Sequence, residues 1–488
     1  MSTPPPPAND PGLPGVPPQW EALLRQLLGP DADAVLAELS SRGGMSGLTG
    51  PDGAPIDLQA LAAAAGLPDD PAALNQLLGQ VHQMLSSSEG PVNWELAHDL
   101  ARQVAVAEGD PTVAEPARRE VVSAFQVAEL WLDAATDLPP AGGQVRAWSR
   151  SEWVEATLGR WRTLAEPVAV SVADALASAL SGRGSEALGG LGDLGDDPEA
   201  PAAATGPMLR QLGGAVFGMQ LGQAVGTLAQ DVFGTTDIGI PLLDAPGTAL
   251  VPRNVAAFAE GLDVPADEVR LFLALREAAH ARLFTHVTWL RGHVLGAVGS
   301  YARGITIDTD ALEEAVRSID PTDPSALQEA MSGGVFALGT SPAQQAALLR
   351  LETALALIEG WVDEVTAAAA APHLPHTAAL REMLRRRRAA GGPAEDIFAT
   401  LVGLELRPRR SRDAARLWSQ IAADGGQTAR DAVWDHPDLL PSAEDLDAPE
   451  TWSARRAAAT VEHADVDRAL AEIFGDDAGT EAPGTSEG

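Results

Sequence analysis

Val264-Pro-Ala-Asp-Glu-Val-Arg-Leu-Phe-Leu-Ala-Leu-Arg-Glu-Ala-Ala-His-Ala-Arg-Leu283 is the stretch on which the reading of this chain turns. Proline opens it, and Asp267 and Glu268 follow where the helix dipole is positive. Apolar residues then recur at Leu271, Leu275, Ala279 and Leu283, which predicts a helix. Within that helix Arg276-Glu-Ala-Ala-His280 sets Arg276 and His280 four residues apart on one face, with Glu277 beside them.

This is the spacing of H-E-x-x-H, in which two histidines hold zinc and the glutamate activates its water. Here the first histidine is arginine. A second predicted helix is capped by Ser341, takes Pro342 at its first position, and runs through Leu348, Leu351, Leu355 and Ile358 to Val365. On it Glu359 and Asp363 are four apart and share a face. In metallopeptidases whose third ligand is a glutamate, that residue comes from a later helix, and an aspartate one turn on orients a ligand histidine. Glu359-Gly-Trp-Val-Asp363 has that form.

An R-E-x-x-H string on an apolar helix also arises by chance. A carboxylate inside an apolar run is more telling, because burying it requires a partner. One histidine and one carboxylate are fewer than the three protein ligands usual at catalytic zinc, and arginine cannot deprotonate to ligate. His286 is the candidate replacement, six residues beyond His280 as in the longer metalloprotease motif. Leu283 stands where that motif has its turning glycine, so on a continuous helix His286 points about 120° away from His280. The β-branched Thr285, Val287 and Thr288 allow a break there; His293 reads as a core or surface histidine. Without a metal, Arg276 is expected to pair with Glu359 or Asp363, since a guanidinium fork can neutralise a buried carboxylate.

Working outward, the chain has 488 residues, 45% of them hydrophobic, 21% charged and 4% aromatic, an ordinary globular balance. Alanine and leucine dominate, so the fold class is mainly α. At most a short β-hairpin is expected, from Ile238–Leu243 and Thr248–Val251 around Asp244-Ala-Pro-Gly247. The net charge is −35, and all 33 basic residues are arginine. That charge opposes nucleic acid and anionic lipid, and without lysine there is no Schiff-base chemistry. The absence of cysteine removes thiol nucleophiles and thiolate metal sites. No signal peptide and no membrane span are expected, which makes the cytoplasm the default.

Residues 1–19 are proline-rich and 476–488 small and acidic, and both are expected to be disordered tails. Between them the expected order is an N-terminal helical region over 20–180, a Gly/Asp/Pro-rich linker or loop over 181–207, a helical core over 208–435 and a helical segment over 436–475. Asn93 is a predicted N-cap, and Ser149 with Glu152 forms a predicted capping box flanked by Trp148 and Trp153. Trp153 and Trp161 lie at helical spacing as core anchors. Gly214, Gly218, Gly222 and Gly226 strip one face of a predicted buried helix so that another can approach closely. Gly190-Leu-Gly-Asp-Leu-Gly195 matches a dinucleotide fingerprint, but no strand precedes it, and no nucleotide or flavin is expected. The arginine runs Arg385–Arg388 and Arg407–Arg416 lack interleaved aromatics and read as solvated faces paired with acids.

The runs Leu275-Arg-Glu-Ala-Ala-His-Ala-Arg-Leu-Phe284, Val287-Thr-Trp-Leu290, Leu357-Ile-Glu-Gly-Trp-Val-Asp363 and Ala399-Thr-Leu-Val-Gly-Leu-Glu-Leu-Arg407 resemble the zincin-like proteins of actinobacteria. The likeness extends from about Val92 to about Trp434. That family is described as hydrolases or zinc-dependent metalloproteases, with a sister branch associated with biosynthesis of a deazaflavin coenzyme. The resemblance implies a multi-helix zincin-like fold, Glu277 as general base, and His280 and Glu359 as zinc ligands. Its members tend to have histidine where this chain has Arg276, and often where it has Trp361. Two function classes follow: a zinc-dependent hydrolase acting on amide bonds, or a non-catalytic scaffold whose cleft binds a peptide or protein partner.

Overall fold

Asn93 begins the first helix as its sequence position demands, its side-chain oxygen accepting from the Leu96 amide at 3.0 Å. The computed structural model describes residues 90–181, 200–304, 306–307, 338–339, 341–389 and 410–458, with side chains over 90–171, 213–304, 341–388 and 410–458. Both expected tails, the Gly190–Gly195 run, Ala399–Arg407 and most of the expected linker lie outside the described residues.

The helices are α1 (Trp94–Val106), α2 (Glu115–Leu132), α3 (Arg150–Ser181), α4 (Ala200–Ala229), α5 (Pro252–Ala259), α6 (Ala266–His286), α7 (Leu290–Arg303), α8 (Pro342–Ala370), α9 (Thr377–Ala389), α10 (Ser411–Asp431) and the short α11 (Ala443–Asp447). Four short strands accompany them: β1 (Gln144–Ala147), β2 (Gly247–Leu250), β3 (Thr306–Ile307) and β4 (Leu338–Gly339). The fold is mainly α. Among the described residues no helix is long and apolar enough to cross a membrane.

Strand β2 lies where the hairpin was expected, but its partner is different. It pairs in parallel with β1, from Gln144 opposite Gly247 to Ala147 opposite Leu250. Residues 238–243 form no strand. Their apolar residues Ile238, Ile240 and Leu242 are buried in the core, so the alternation that suggested a strand reflects burial of a turn. Strands β3 and β4 form a separate antiparallel pair.

The capping box at the start of α3 is present: the Glu152 amide donates to Ser149 Oγ, and Glu152 Oε2 accepts from the Ser149 amide at 2.8 Å. Trp153 and Trp161 are fully buried. Helix α4 begins at Ala200, inside the stretch read as a linker. Gly214, Gly218, Gly222 and Gly226 lie against α1 and the residues just before it: a Cβ on Gly218 would sit 2.5 Å from the Asn93 carbonyl oxygen, and one on Gly222 2.6 Å from that of Ala97. The Asn93 amide also donates to the Gly214 carbonyl at 2.9 Å. One buried apolar cluster contains residues from α1 through α10 and on to Trp452, on both sides of 182–199.

Helix α6 is the centre of this core. Every residue from Phe272 to Phe284 is buried, as in a helix surrounded by packing partners on all sides. It touches α2, α8, α9 and β2. A helix so placed must find partners for each polar residue it carries. Arg282, with no exposed surface, does so by donating to Glu129, Asp133 and the Leu138 carbonyl oxygen.

Candidate functional site

Helices α6 and α8 pack side by side, which brings Arg276 and His280 against Glu359. Arg276 Nη2 donates to Glu359 Oε2 at 2.9 Å, and His280 Nε2 lies 3.1 Å from Oε1. A third group joins them: Arg388 of α9 forms an ion pair with the same Oε2. All three residues of the α6–α8 contact are buried.

The electrostatics of Glu359 follow from its neighbours. Burial alone pushes a carboxyl upward, but the Arg388 charge, then His280 and Arg276, hold it well below the usual carboxylate range. The same contact raises the Arg388 guanidinium against its own desolvation. His280 Nδ1 lies 2.9 Å from the Arg276 carbonyl oxygen. Both ring nitrogens therefore lie within hydrogen-bond distance of an oxygen acceptor.

Glu277 points elsewhere. The loop after α4 turns over its carboxylate: the Thr235 amide donates to Oε1 at 2.9 Å, and the Thr236 amide and hydroxyl donate to Oε2 at 3.2 and 2.6 Å. The Thr235 hydroxyl also donates to Oε1. Four donors occupy about the four lone-pair positions a carboxylate offers. Gly234 lacks a Cβ here for a reason, since one would fall 2.6 Å from Glu277 Oε2. The same loop reaches Glu359 at Gly239, whose φ of +77° suits glycine. The two carboxylates thus flank one loop, but only Glu359 lines the cleft.

Asp363 does not reach His280. Its Oδ2 accepts from Arg381 Nε at 2.9 Å and from Arg385 at 2.5 Å, tying α8 to α9. His286 is exposed at the last turn of α6, 3.2 Å from the Pro140 carbonyl oxygen. The helix does break after it, at Val287, too late to bring His286 back toward His280. His293 is partly buried, its ring edge-on to Trp289 at 5.7 Å. Trp361 belongs to the core and donates to Asp431 Oδ1 at 2.9 Å.

The sequence reading missed α9 as part of the site. It treated Arg385–Arg388 as a solvated face, but successive helical residues are about 100° apart, so four in a row cannot share one face. Arg385 pairs with Asp363, Arg386 with Glu382, Arg387 with Asp231 and Arg388 with Glu359. Arg387 also stacks over the Phe233 ring at 4.1 Å. The signal was present: four consecutive arginines following buried acids must send at least one inward.

The donor set does not suit zinc. Among the described residues no three histidine or carboxylate side chains converge as a metal cluster. Of the two that do meet, Glu359 already carries two guanidiniums, and both imidazole nitrogens already lie at hydrogen-bond distance from oxygens of this chain. A dication at Glu359 has to displace two fixed positive charges, Arg276 and Arg388.

The family described as Zincin-like metallopeptidase matches residues 92–453. No curated protein matches the chain. Among solved structures, a protein of Chloroflexus aurantiacus, described as a "putative hydrolase with a novel fold", aligns with a TM-score of 0.52 at 20% identity. The alignment covers 75% of this chain and 99% of that one. At that identity the likeness is one of fold.

Proposed function

This chain belongs to the zincin-like metallopeptidase family, and from that premise we propose that it is a non-catalytic binding protein on a metallopeptidase-like fold. In this reading Arg276 and Arg388 do for Glu359 what a metal ion does at an H-E-x-x-H site. One observation carries it: Glu359 takes Arg276, His280 and Arg388 at once. Hydrolysis by zinc needs a free base beside the metal-bound water. The four donors on Glu277 leave it no such freedom, and its role here is to fasten the Thr235–Thr236 loop to α6. The bound partner is a peptide or a protein segment, since the fold is that of a peptidase family.

Metal analysis tests this directly. Protein purified without added metal or chelator should contain far less than stoichiometric zinc and show no peptidase activity on casein. Stoichiometric zinc that disappears in His280→Ala and in Glu359→Ala would overturn the reading in favour of an active hydrolase. Arg276→His alone leaves Arg388 on Glu359, so zinc uptake is expected only when Arg388→Met accompanies it.

A further inference from the structure

A small open cleft beside Glu359 is lined by Arg276, Glu359, Asp363, Arg385, Arg388 and Ser411 among others. Its lining carries three guanidiniums and two carboxylates, a locally cationic set on a protein whose net charge is −35. Arg276 is buried yet uses one nitrogen, on Glu359, and Arg385 uses one, on Asp363. Among the described residues the remaining nitrogens of both have no hydrogen-bond partner. Ser411 begins α10, which runs to a kink at Gly426 and where Arg410 supplies no side-chain cap, so the positive end of that helix adds to the same potential.

We infer that this cleft binds a carboxylate of a peptide ligand, taken up by the unused N–H groups of Arg276 and Arg385. A guanidinium presents its donors in a fork that matches a carboxylate's two oxygens. The acidic remainder of the surface repels anions at long range, so recognition relies on short contacts inside the cleft. Asp363 keeps Arg381 whether or not Arg385 turns toward a ligand, so engaging Arg385 leaves no carboxylate stranded. This assignment rests on the reading of the chain as a binding protein and names what it binds.

The test is fluorescence anisotropy on the full chain at low ionic strength, with three dansylated probes: tri-alanine with a free carboxyl terminus, the same peptide as its amide, and an amidated peptide ending in glutamate. The free-carboxyl probe should bind about tenfold or more tightly than the tri-alanine amide. The glutamate probe distinguishes the sources: binding of it as well assigns the site to any peptide carboxylate, and rejection of it assigns the site to the chain terminus. Arg385→Gln should lose that preference while keeping its far-ultraviolet dichroism, and Arg386→Gln, whose side chain pairs on the surface with Glu382, should retain it. Equal binding of acid and amide, no binding of either at millimolar probe, or an unchanged preference in Arg385→Gln would refute the inference. Zinc measured in the same sample reports separately on the metal-free reading.

Discussion

A methyl group added at Gly218 measures how closely α4 and α1 approach. The Cβ of an alanine there lies 2.5 Å from the Asn93 carbonyl oxygen and 3.2 Å from its carbon, roughly 1 Å inside ordinary contact. The obstructing atom is backbone at the N-cap of α1, so no side chain can swing aside, and the helices must separate. Overpacking of this kind costs about 1–3 kcal/mol. Alanine also gains up to about 1 kcal/mol of helix propensity over glycine, which would mask part of that cost. Gly213, in the same helix, removes this ambiguity: it is exposed, and a Cβ there meets nothing within 4 Å. Both substitutions carry the same propensity gain, so the difference between them isolates the clash. Gly213→Ala should match or exceed the wild type in urea unfolding followed by circular dichroism. Gly218→Ala should fall below Gly213→Ala by about 1–3 kcal/mol. Equal stability of the two variants would show that α1 and α4 are not in backbone contact.

Glu359→Gln strands Arg276, Arg388 and His280 and should cost about 3–5 kcal/mol at neutral pH. Because the folded-state carboxyl of Glu359 is held low, its contribution is present above the unfolded carboxyl value of about 4.3 and fades as pH falls below it. The gap between wild type and Glu359→Gln should therefore narrow in acid, and a gap that widens would contradict the ion-pair description. Arg282→Ala leaves Glu129 and Asp133 without their shared partner at a position with no exposure. It should destabilise by about 1.5–3 kcal/mol, the worth of hydrogen bonds to charged groups, whereas Arg303→Ala, which bonds Ser300 on the exposed face, should change little in the same unfolding assay.

The parts of the structure that sequence revealed are those set by local chemistry. Asn93, Ser149 with Glu152, and Ser341 cap helices because their side chains reach amides two or three residues on. The i, i+4 spacing on two apolar helices anticipated the Arg276–Glu359 pair, since each residue needs a partner once buried. What stayed hidden depends on contacts distant in sequence. Nothing near Gly247 announces that β2 will pair with residues a hundred positions earlier, and nothing near Glu277 announces that Thr235 and Thr236 will close over it. The arginines of α9 were misread because surface and core arginines look alike in sequence until their acidic partners are placed.

The parallel pairing of β1 with β2 carries a consequence for the order of assembly. Residues Gln144–Ala147 find their partners only at Gly247–Leu250, and closing a chain segment of that length costs about 4 kcal/mol in entropy beyond a constant. Helix α1 waits in the same way for α4, whose glycines receive it. On a ribosome, α1 to α3 must therefore stand with uncovered apolar faces until the chain has emerged through Leu250. That interval is when this protein is most open to chaperones and to self-association, and slowing synthesis between α3 and β2 should lengthen it in proportion.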